Sequence, residues 1–141
     1  MQDPHSTLMA LDVGERRIGV AIATASVRLA APLTTIFRTE TIMEDIEALI
    51  AQHDTKVLVV GLPRGLDGQH TAQTMAVEEF KAALEQYLPI PVFWQDEAVT
   101  SRQAEEELRA RRKPYKKEDI DALSATYILD DFLRDHPEVF L

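Results

Sequence analysis

The most restrictive feature of this sequence is a short apolar run near the start of the chain. Residues 8–13 read Leu-Met-Ala-Leu-Asp-Val, so a single acid interrupts an otherwise apolar segment. A near-continuous run of this kind is typical of a strand covered on both faces, rather than of one with a face in water. We therefore predict a buried strand, as found in a sheet flanked by helices.

The segments that follow predict more strands and then an alternation of strands with helices. Residues 14–17 predict a turn, so that a strand at 18–23 pairs back on the first strand as a hairpin. The remaining predicted elements are a weaker strand at 33–37, a helix at 41–53, a short strand at 57–60, an irregular loop at 62–70, a helix at 71–87, a strand at 92–95, a helix from Thr100 to about Arg111 that opens with a Thr100/Gln103 capping box, and a last helix at 119–135. The order βββαβαβαα indicates a mixed α/β sheet whose first strands are antiparallel and whose later strands are connected through helices.

Composition is typical of a globular protein of one domain. The 141 residues are 45% hydrophobic and 28% charged, which fits a single domain over residues 1–141 with its own core. The lack of cysteine excludes disulfides, thiolate zinc sites, iron–sulfur clusters and cysteine nucleophiles. No apolar run approaches the ~20 residues that span a bilayer, and the start of the chain does not resemble a signal peptide. We therefore expect a cytoplasmic protein.

The charge of the chain is negative overall, but its basic residues are concentrated in one place. A net charge of −9 disfavours a protein that coats DNA, because such proteins neutralise many phosphates. Six basic residues with no acid among them are Arg109, Arg111, Arg112, Lys113, Lys116 and Lys117. This basic segment either holds a phosphate backbone at a single place or is the solvated end of a helix, where the helix dipole favours cations.

Two acids fall where apolar residues are expected. Asp12 lies within the first strand, where a carboxylate needs a cation, hydrogen bonds or an opening to solvent, unless it only caps the turn at Gly14. In the last helix Asp121 lies on the same helix face as three apolar residues, Ala125, Ile128 and Phe132, which follow it at intervals of three or four residues. We therefore expect Asp121 to face the sheet. Asp119 shares the polar side with Thr126 and Asp130 and is expected to face water.

A third acid comes from the strand that ends at Asp96 and Glu97. Because strand residues alternate between faces, only one of these two can join a site with the other acids, and each could equally be a helix cap. Three carboxylates from separate elements suit Mg²⁺ or Mn²⁺, and two such ions would activate water for phosphodiester hydrolysis. The four histidines show no ligand spacing, so zinc is not expected.

Four blocks of the sequence, in the same order, resemble one known family. They are residues 10–21 (ALDVGERRIGVA), 59–63 (VVGLP) with 67–68, Asp96-Glu97 with Thr100 and Ala104, and Asp121-Ala122 leading to 128–129. Together they resemble the YqgF/RuvX family of Holliday-junction resolvase-like proteins, over residues 8–133. The resemblance implies a ribonuclease H-like fold, a five-stranded mixed sheet flanked by helices. It also implies a metal-dependent nuclease, a hydrolase of ester bonds that matures the 5′ end of pre-16S rRNA.

The resemblance also implies a set of site residues. Asp12, Glu97 and Asp121 would be catalytic and would hold Mg²⁺ or Mn²⁺. The expected substrate contacts are Arg16, Arg17, Arg111, Arg112, Lys113, Lys116 and Lys117. The expected partner is nucleic acid, RNA before structured DNA, and the chain is expected to be a monomer or a weak homodimer.

One position departs from the family pattern. Ala98 stands where the family usually has an arginine after Asp-Glu, and Arg102 is a basic residue that could replace it. Two alternatives therefore stay open beside rRNA maturation. They are a Holliday junction resolvase-like DNA nuclease and a non-catalytic RNA-binding ribosome-assembly factor.

Overall fold

The elements follow the order that the sequence predicts. The computed structural model describes residues 3–63, 71–97 and 100–139. In chain order the elements are β1 (Thr7–Val13), β2 (Arg17–Thr24), β3 (Ala31–Phe37), α1 (Ile42–Gln52), β4 (Thr55–Pro63), α2 (Ala72–Tyr87), β5 (Val92–Glu97), α3 (Thr100–Ala110) and α4 (Lys117–Asp135).

The five strands form one mixed sheet, as expected from the sequence. Its strand order is β3-β2-β1-β4-β5. β2 is antiparallel to both β1 and β3, whereas β4 is parallel to both β1 and β5. Short connections at residues 14–16 and 25–30 join the antiparallel strands, and helix α2 carries the chain across from β4 to β5, because parallel neighbours need a long connection.

The central strand β1 is buried on both faces, which explains its continuous apolar run. Met9, Leu11 and Val13 pack in one core with residues of α1 and α2. Leu8 and Ala10 pack in a second core, on the other face of the sheet, with residues of α4. By the same alternation Asp12 falls on the α4 face, next to the second core.

Two glycines let α4 approach the sheet directly. A Cβ atom on Gly19, the partner of Asp12 in the β1–β2 ladder, would lie 1.9 Å from the backbone oxygen of Asp121. A Cβ atom on Gly61 would lie 2.4 Å from the Cδ1 atom of Ile128. Because glycine has no side chain, α4 can cross the sheet at these two positions, and Asp121 therefore lies beside β2.

The strands extend further than their local patterns suggest. β4 runs from Thr55 to Pro63 and β5 reaches Glu97, because β4 lies between β1 and β5 and is paired along both sides. Residues 64–70 of the predicted loop, which include Gly65, lie outside the described residues, and so does the capping side chain of Thr100. Among the helices of the described ranges, none is long and apolar enough to cross a membrane.

The two faces of α4 are assigned correctly except at one residue. Ala125, Ile128 and Phe132 are buried against the sheet, and Asp119 is exposed, as expected. The prediction of Thr126 on the polar side is wrong. Thr126 is buried, and its hydroxyl donates a hydrogen bond to the carbonyl oxygen of Ala122 at 3.0 Å, which satisfies the hydroxyl within the helix.

Candidate metal centre

Asp12 is a partly buried carboxylate that does not close the turn after it. The turn is closed by the backbone, since the Gly14 N–H donates to the carbonyl oxygen of Arg17 at 2.9 Å. Burial first, and then the negative charge of Asp121, raise the pKa of Asp12 to about 6. Its surroundings therefore favour proton uptake, or the arrival of a cation, over an isolated charge.

Asp121 lies near the start of α4 on the side of the sheet, as its position in the helix predicts. The Nε atom of Arg17, on β2, donates a hydrogen bond to Oδ2 of Asp121 at 2.6 Å. The Asp121 side chain is 18% exposed. Arg17, expected to contact substrate, is thus engaged with one of the expected metal ligands.

Glu97 ends β5 on the same face, while Asp96 points to the other face and is exposed. Glu97 shares a hydrogen bond with Asp131 of α4. Burial, this hydrogen bond and the charges of Asp131 and Asp12 raise the pKa of Glu97 to about 9. Its Oε1 atom is buried and has no hydrogen-bond partner within the described ranges.

Together these side chains form an acidic row beneath α4. The row consists of Asp121, Asp12, Glu97 and Asp131, in which each acid lies near enough to the next for their charges to interact. Arg17 binds the first member, and the Nη1 atom of Arg134 lies 3.0 Å from Oδ1 of the last. The fold therefore gathers four carboxylates with an arginine at each end.

Comparison with known proteins assigns the chain to a family. The family model described as "RuvX: Holliday junction resolvase" matches residues 6–135. The chain belongs to the RuvX family. The resemblance seen in the four sequence blocks is confirmed, and the prediction of a nuclease agrees with this family.

Curated relatives of this RuvX-family chain match it over nearly its whole length. A protein of Chloroflexus aggregans is 46% identical over 133 residues, with 92% of this chain and 94% of the relative covered. One from Sulfurihydrogenibium sp. is 38% identical over 130 residues, with 91% and 90% covered. Both are named "Putative pre-16S rRNA nuclease".

Solved structures confirm the ribonuclease H-like fold of this RuvX-family member. T. thermophilus RuvC, in a complex with a Holliday junction, superposes with a TM-score of 0.53 at 13% identity, over 93% of this chain and 96% of RuvC. The Fowlpox virus resolvase gives a TM-score of 0.51 at 10% identity, over 94% and 98% of the two chains. At such identities the likeness concerns the fold alone.

The three expected metal ligands lie along the acidic row but do not form a closed cluster. Within the described ranges, no three His, Asp or Glu side chains are placed so that they could hold one ion between them. Asp121 is drawn toward Arg17 and Glu97 toward Asp131, which accounts for the open arrangement. Binding of a cation would thus require these two carboxylates to exchange partners.

The chemistry of the row nevertheless fits a divalent cation. Carboxylate oxygens are the ligands that Mg²⁺ and Mn²⁺ prefer. The buried Oε1 atom of Glu97 lacks a hydrogen-bond partner among the described residues, and burial, together with neighbouring carboxylates, raises the pKa values of Asp12 and Glu97. An ion bound there would supply what both carboxylates lack.

Asp131 is the member of the row that the sequence did not reveal. Asp131 follows Asp130, which the sequence places on the polar side of α4, and the residue pattern assigned Asp131 to neither side. The available signal is its spacing, because Asp131 follows the sheet-facing Ile128 by three residues and so lies near the same stripe. Spacing within α4 could not show that Glu97, which belongs to β5, lies opposite Asp131.

The basic segment is only partly available for a ligand. Arg111 forms an ion pair with Glu107, and Arg109 lies 3.3 Å from Glu105. Both arginines thus pair with acids one helical turn earlier in the chain, as expected of a solvated helix end. The other predicted contacts, namely Arg16, Arg112, Lys113, Lys116 and Lys117, are exposed. Ala98 lies outside the described residues, and Arg102 is exposed and lies 3.5 Å from Glu106.

Proposed function

We propose that this protein is a divalent-metal-dependent nuclease that hydrolyses phosphodiester bonds at the acidic row. The observation that carries the proposal is the acidic row itself, with the partly buried Asp12 between Asp121 and Glu97 in a RuvX-family fold. A structural role would leave such a carboxylate hydrogen-bonded or paired. Here the pKa of Asp12 is raised by burial and then by the charge of Asp121, as expected of a site that is completed by cations.

Each residue of the row has a role in this proposal. Asp12, Glu97 and Asp121 would hold the metal, and a bound Mg²⁺ or Mn²⁺ would supply an activated water and a counter-charge for the leaving oxygen. Glu97, whose pKa is raised, keeps its proton in the hydrogen bond with Asp131 until its carboxylate is needed. Arg17 orients Asp121 and provides a guanidinium that can pair with a substrate phosphate once Asp121 turns to the metal.

The proposed substrate is the 5′ end of pre-16S rRNA. Support comes from the curated relatives, which carry that name at 38–46% identity over most of their length. A second candidate is a DNA junction, which is favoured by the description of the matching family model. Sequencing of 16S rRNA 5′ ends after depletion of the protein decides between them. Accumulated precursor supports the rRNA, whereas normal 5′ ends with defective recombination would favour the junction.

The chemistry is tested with purified Asp12→Asn. This change keeps the shape of the side chain but removes its charge, so Mn²⁺-dependent cleavage of a labelled precursor RNA should fall by a factor of about 100 or more. Asp45→Asn is the matched control, because Asp45 lies in α1 on the opposite face of the sheet and accepts hydrogen bonds from Thr41 that Asn can also accept. Full cleavage by Asp12→Asn would refute the proposal.

A further inference from the structure

A groove of about 880 Å³ lies beside the acidic row, and none of the four acids of the row lines it. One wall is the edge strand β3, and the other is formed by the end of α3, the connection to α4 and the first turns of α4. The residues that characterise it are Leu33, Thr34, Lys113, Tyr115, Lys116 and Leu123, and we refer to it as the β3 groove.

One rim of the β3 groove carries cations that have no ion pair in the described part of the chain. Lys113 and Lys116 are exposed, unlike Arg111, whose charge is balanced by Glu107. Glu118 and Asp119 also line the groove, but the carboxylate of Asp119 accepts a hydrogen bond from the backbone N–H of Lys116 at 2.8 Å. The two lysines therefore offer the groove charges suited to phosphate groups.

The inner part of the β3 groove is apolar and aromatic. Leu33 and Leu123 line it, and Tyr115 packs against Leu108 and Leu123 in a small core of its own. The Tyr115 hydroxyl accepts a hydrogen bond from Nε of Arg109 at 3.3 Å, which helps to hold the ring in place. A fixed aromatic ring beside free amines is the combination on which unpaired bases stack while their phosphates are neutralised.

The β3 groove and the acidic row share the start of α4. Ala122 and Leu123 face the groove, while the neighbouring Asp121 faces the sheet and interacts with Asp12. A strand lying in the groove would thus pass one helix width, roughly 10 Å, from the acids.

We propose that the β3 groove binds a single-stranded segment of nucleic acid and leads it to the acidic row. This inference rests on the proposed nuclease function and narrows its substrate class. The outer surface of a duplex presents mainly phosphates, and its stacked bases would not reach Leu33, Tyr115 or Leu123. The groove therefore favours a single-stranded end over a four-way junction.

The test measures binding in chelator, so that it does not depend on cleavage. A fluorescent single-stranded RNA of about 12 nucleotides is titrated with wild type and variants, using fluorescence anisotropy at several salt concentrations. Lys113→Ala/Lys116→Ala should weaken binding about ten-fold and flatten the salt slope by about 0.7 for each lost phosphate contact. Tyr115→Leu should also weaken binding about ten-fold, whereas Tyr115→Phe, which keeps the ring and loses only the hydrogen bond from Arg109, should weaken it less than Tyr115→Leu does.

Lys56→Ala is the matched control, because Lys56 is an exposed lysine at the start of β4 that pairs with Asp54. It should leave the affinity and salt slope unchanged. Unlabelled duplex and four-way junction of the same length should compete at least ten times less well than the single strand. Equal competition by either one, or wild-type affinity in both the lysine and the Tyr115→Leu variants, would overturn the inference.

A second measurement avoids dependence on the folding of the variants. A single strand carrying thiouridine is photo-crosslinked to wild-type protein, and the modified peptides are mapped. Crosslinks at residues 33–35 or 113–116 support the groove, and crosslinks confined to other segments refute it. The groove proposal is measured by binding and crosslinking in chelator, whereas the nuclease proposal is measured by Mn²⁺-dependent cleavage, so failure of the one and failure of the other give different results.

Discussion

At Asp12 the fold holds a carboxylate away from water and close to the negative charge of Asp121. The pKa of Asp12 rises from 3.8 to about 6, so the folded protein binds a proton that the unfolded chain has already released. The free energy of unfolding must therefore fall as pH rises from about 4 to about 6. Above about pH 6 the folded protein carries the full destabilisation caused by the charged Asp12 carboxylate. A shift of this size corresponds to about 3 kcal/mol.

Asp12→Asn should consequently stabilise the metal-free protein. We expect the free energy of unfolding in chelator at pH 8 to rise by about 1–3 kcal/mol, and its decline between pH 4 and 6 to become shallower. Urea denaturation at several pH values measures both effects. The Asn amide still needs hydrogen-bond partners, which is why the gain is smaller than the full cost of the charge.

Asp121→Asn should change stability in the opposite direction. Asp121 is held by Arg17 at 2.6 Å, so its replacement leaves a partly buried guanidinium without its carboxylate. A loss of about 1–3 kcal/mol is expected in the same denaturation experiment. An Asp121→Asn variant that is stabilised as much as Asp12→Asn would contradict this prediction. It would mean that the ion pair between Arg17 and Asp121 does not stabilise the folded protein in solution.

If Glu97 binds metal as proposed, its hydrogen bond with Asp131 makes that binding a proton exchange. The hydrogen bond between the two carboxyl groups requires a proton, and the raised pKa of Glu97 keeps it in place at neutral pH. Calorimetry of Mn²⁺ binding in two buffers of different ionisation enthalpy should therefore show proton release at pH 7. Asp131→Asn should release about one proton fewer, because an amide donates to Glu97 without sharing a proton with it.

Asp130→Asn is the control for this measurement. Asp130 is adjacent but exposed, and it accepts a hydrogen bond from the backbone N–H of Ala30 at 3.1 Å, which Asn can retain. Its proton release should equal that of wild type. Equal release from Asp131→Asn would mean that the two carboxyl groups do not share a proton.

Among the elements, α4 determines where the acids meet. It supplies Asp121 and Asp131, covers one face of the sheet, and lies directly on glycines of β2 and β4. The two glycines differ in what opposes them. Gly19 faces the backbone of Asp121, which cannot yield, whereas Gly61 faces the end of the Ile128 side chain.

Alanine at these two glycines should therefore have unequal effects. Gly19→Ala is expected to lower the free energy of unfolding by about 3 kcal/mol or more, because α4 must move. Gly61→Ala should cost about 1–3 kcal/mol, and adding Ile128→Val, which removes the opposing Cδ1 atom, should recover part of it. Denaturation of the single and double variants measures this coupling. A double variant less stable than the sum of the single effects predicts would contradict the contact.

For the whole molecule, the net charge of −9 is less informative than the distribution of charge. Carboxylates gather beneath α4, and free lysines gather at the rim of the β3 groove. If the acidic row binds cations as proposed, they bind the folded chain alone and stabilise it. Mn²⁺ should therefore raise the melting temperature of wild type, by the equivalent of about 2.7 kcal/mol at a hundred times its dissociation constant.

Asp12→Asn should show a smaller rise in melting temperature with Mn²⁺, while Asp45→Asn should behave as wild type. Differential scanning calorimetry with and without chelator measures both. An equal rise in all three proteins would place Mn²⁺ binding elsewhere on the surface.

The sequence by itself determined the order of the elements, the mixed sheet, the place of Asp12 within the apolar first strand and the side of α4 on which Asp121 lies. The elements and the positions of these two acids follow from the spacing of apolar and polar residues within one element, and the mixed sheet follows from the order of the elements along the chain. Only the tertiary structure decided which groups the acids meet. Arg17 and Asp121 are 104 residues apart in the chain, and Asp131 reaches Glu97 from another element. Such contacts depend on how closely α4 approaches Gly19 and Gly61 of the sheet. The distance between α4 and the sheet cannot be predicted from the residue pattern of α4 alone.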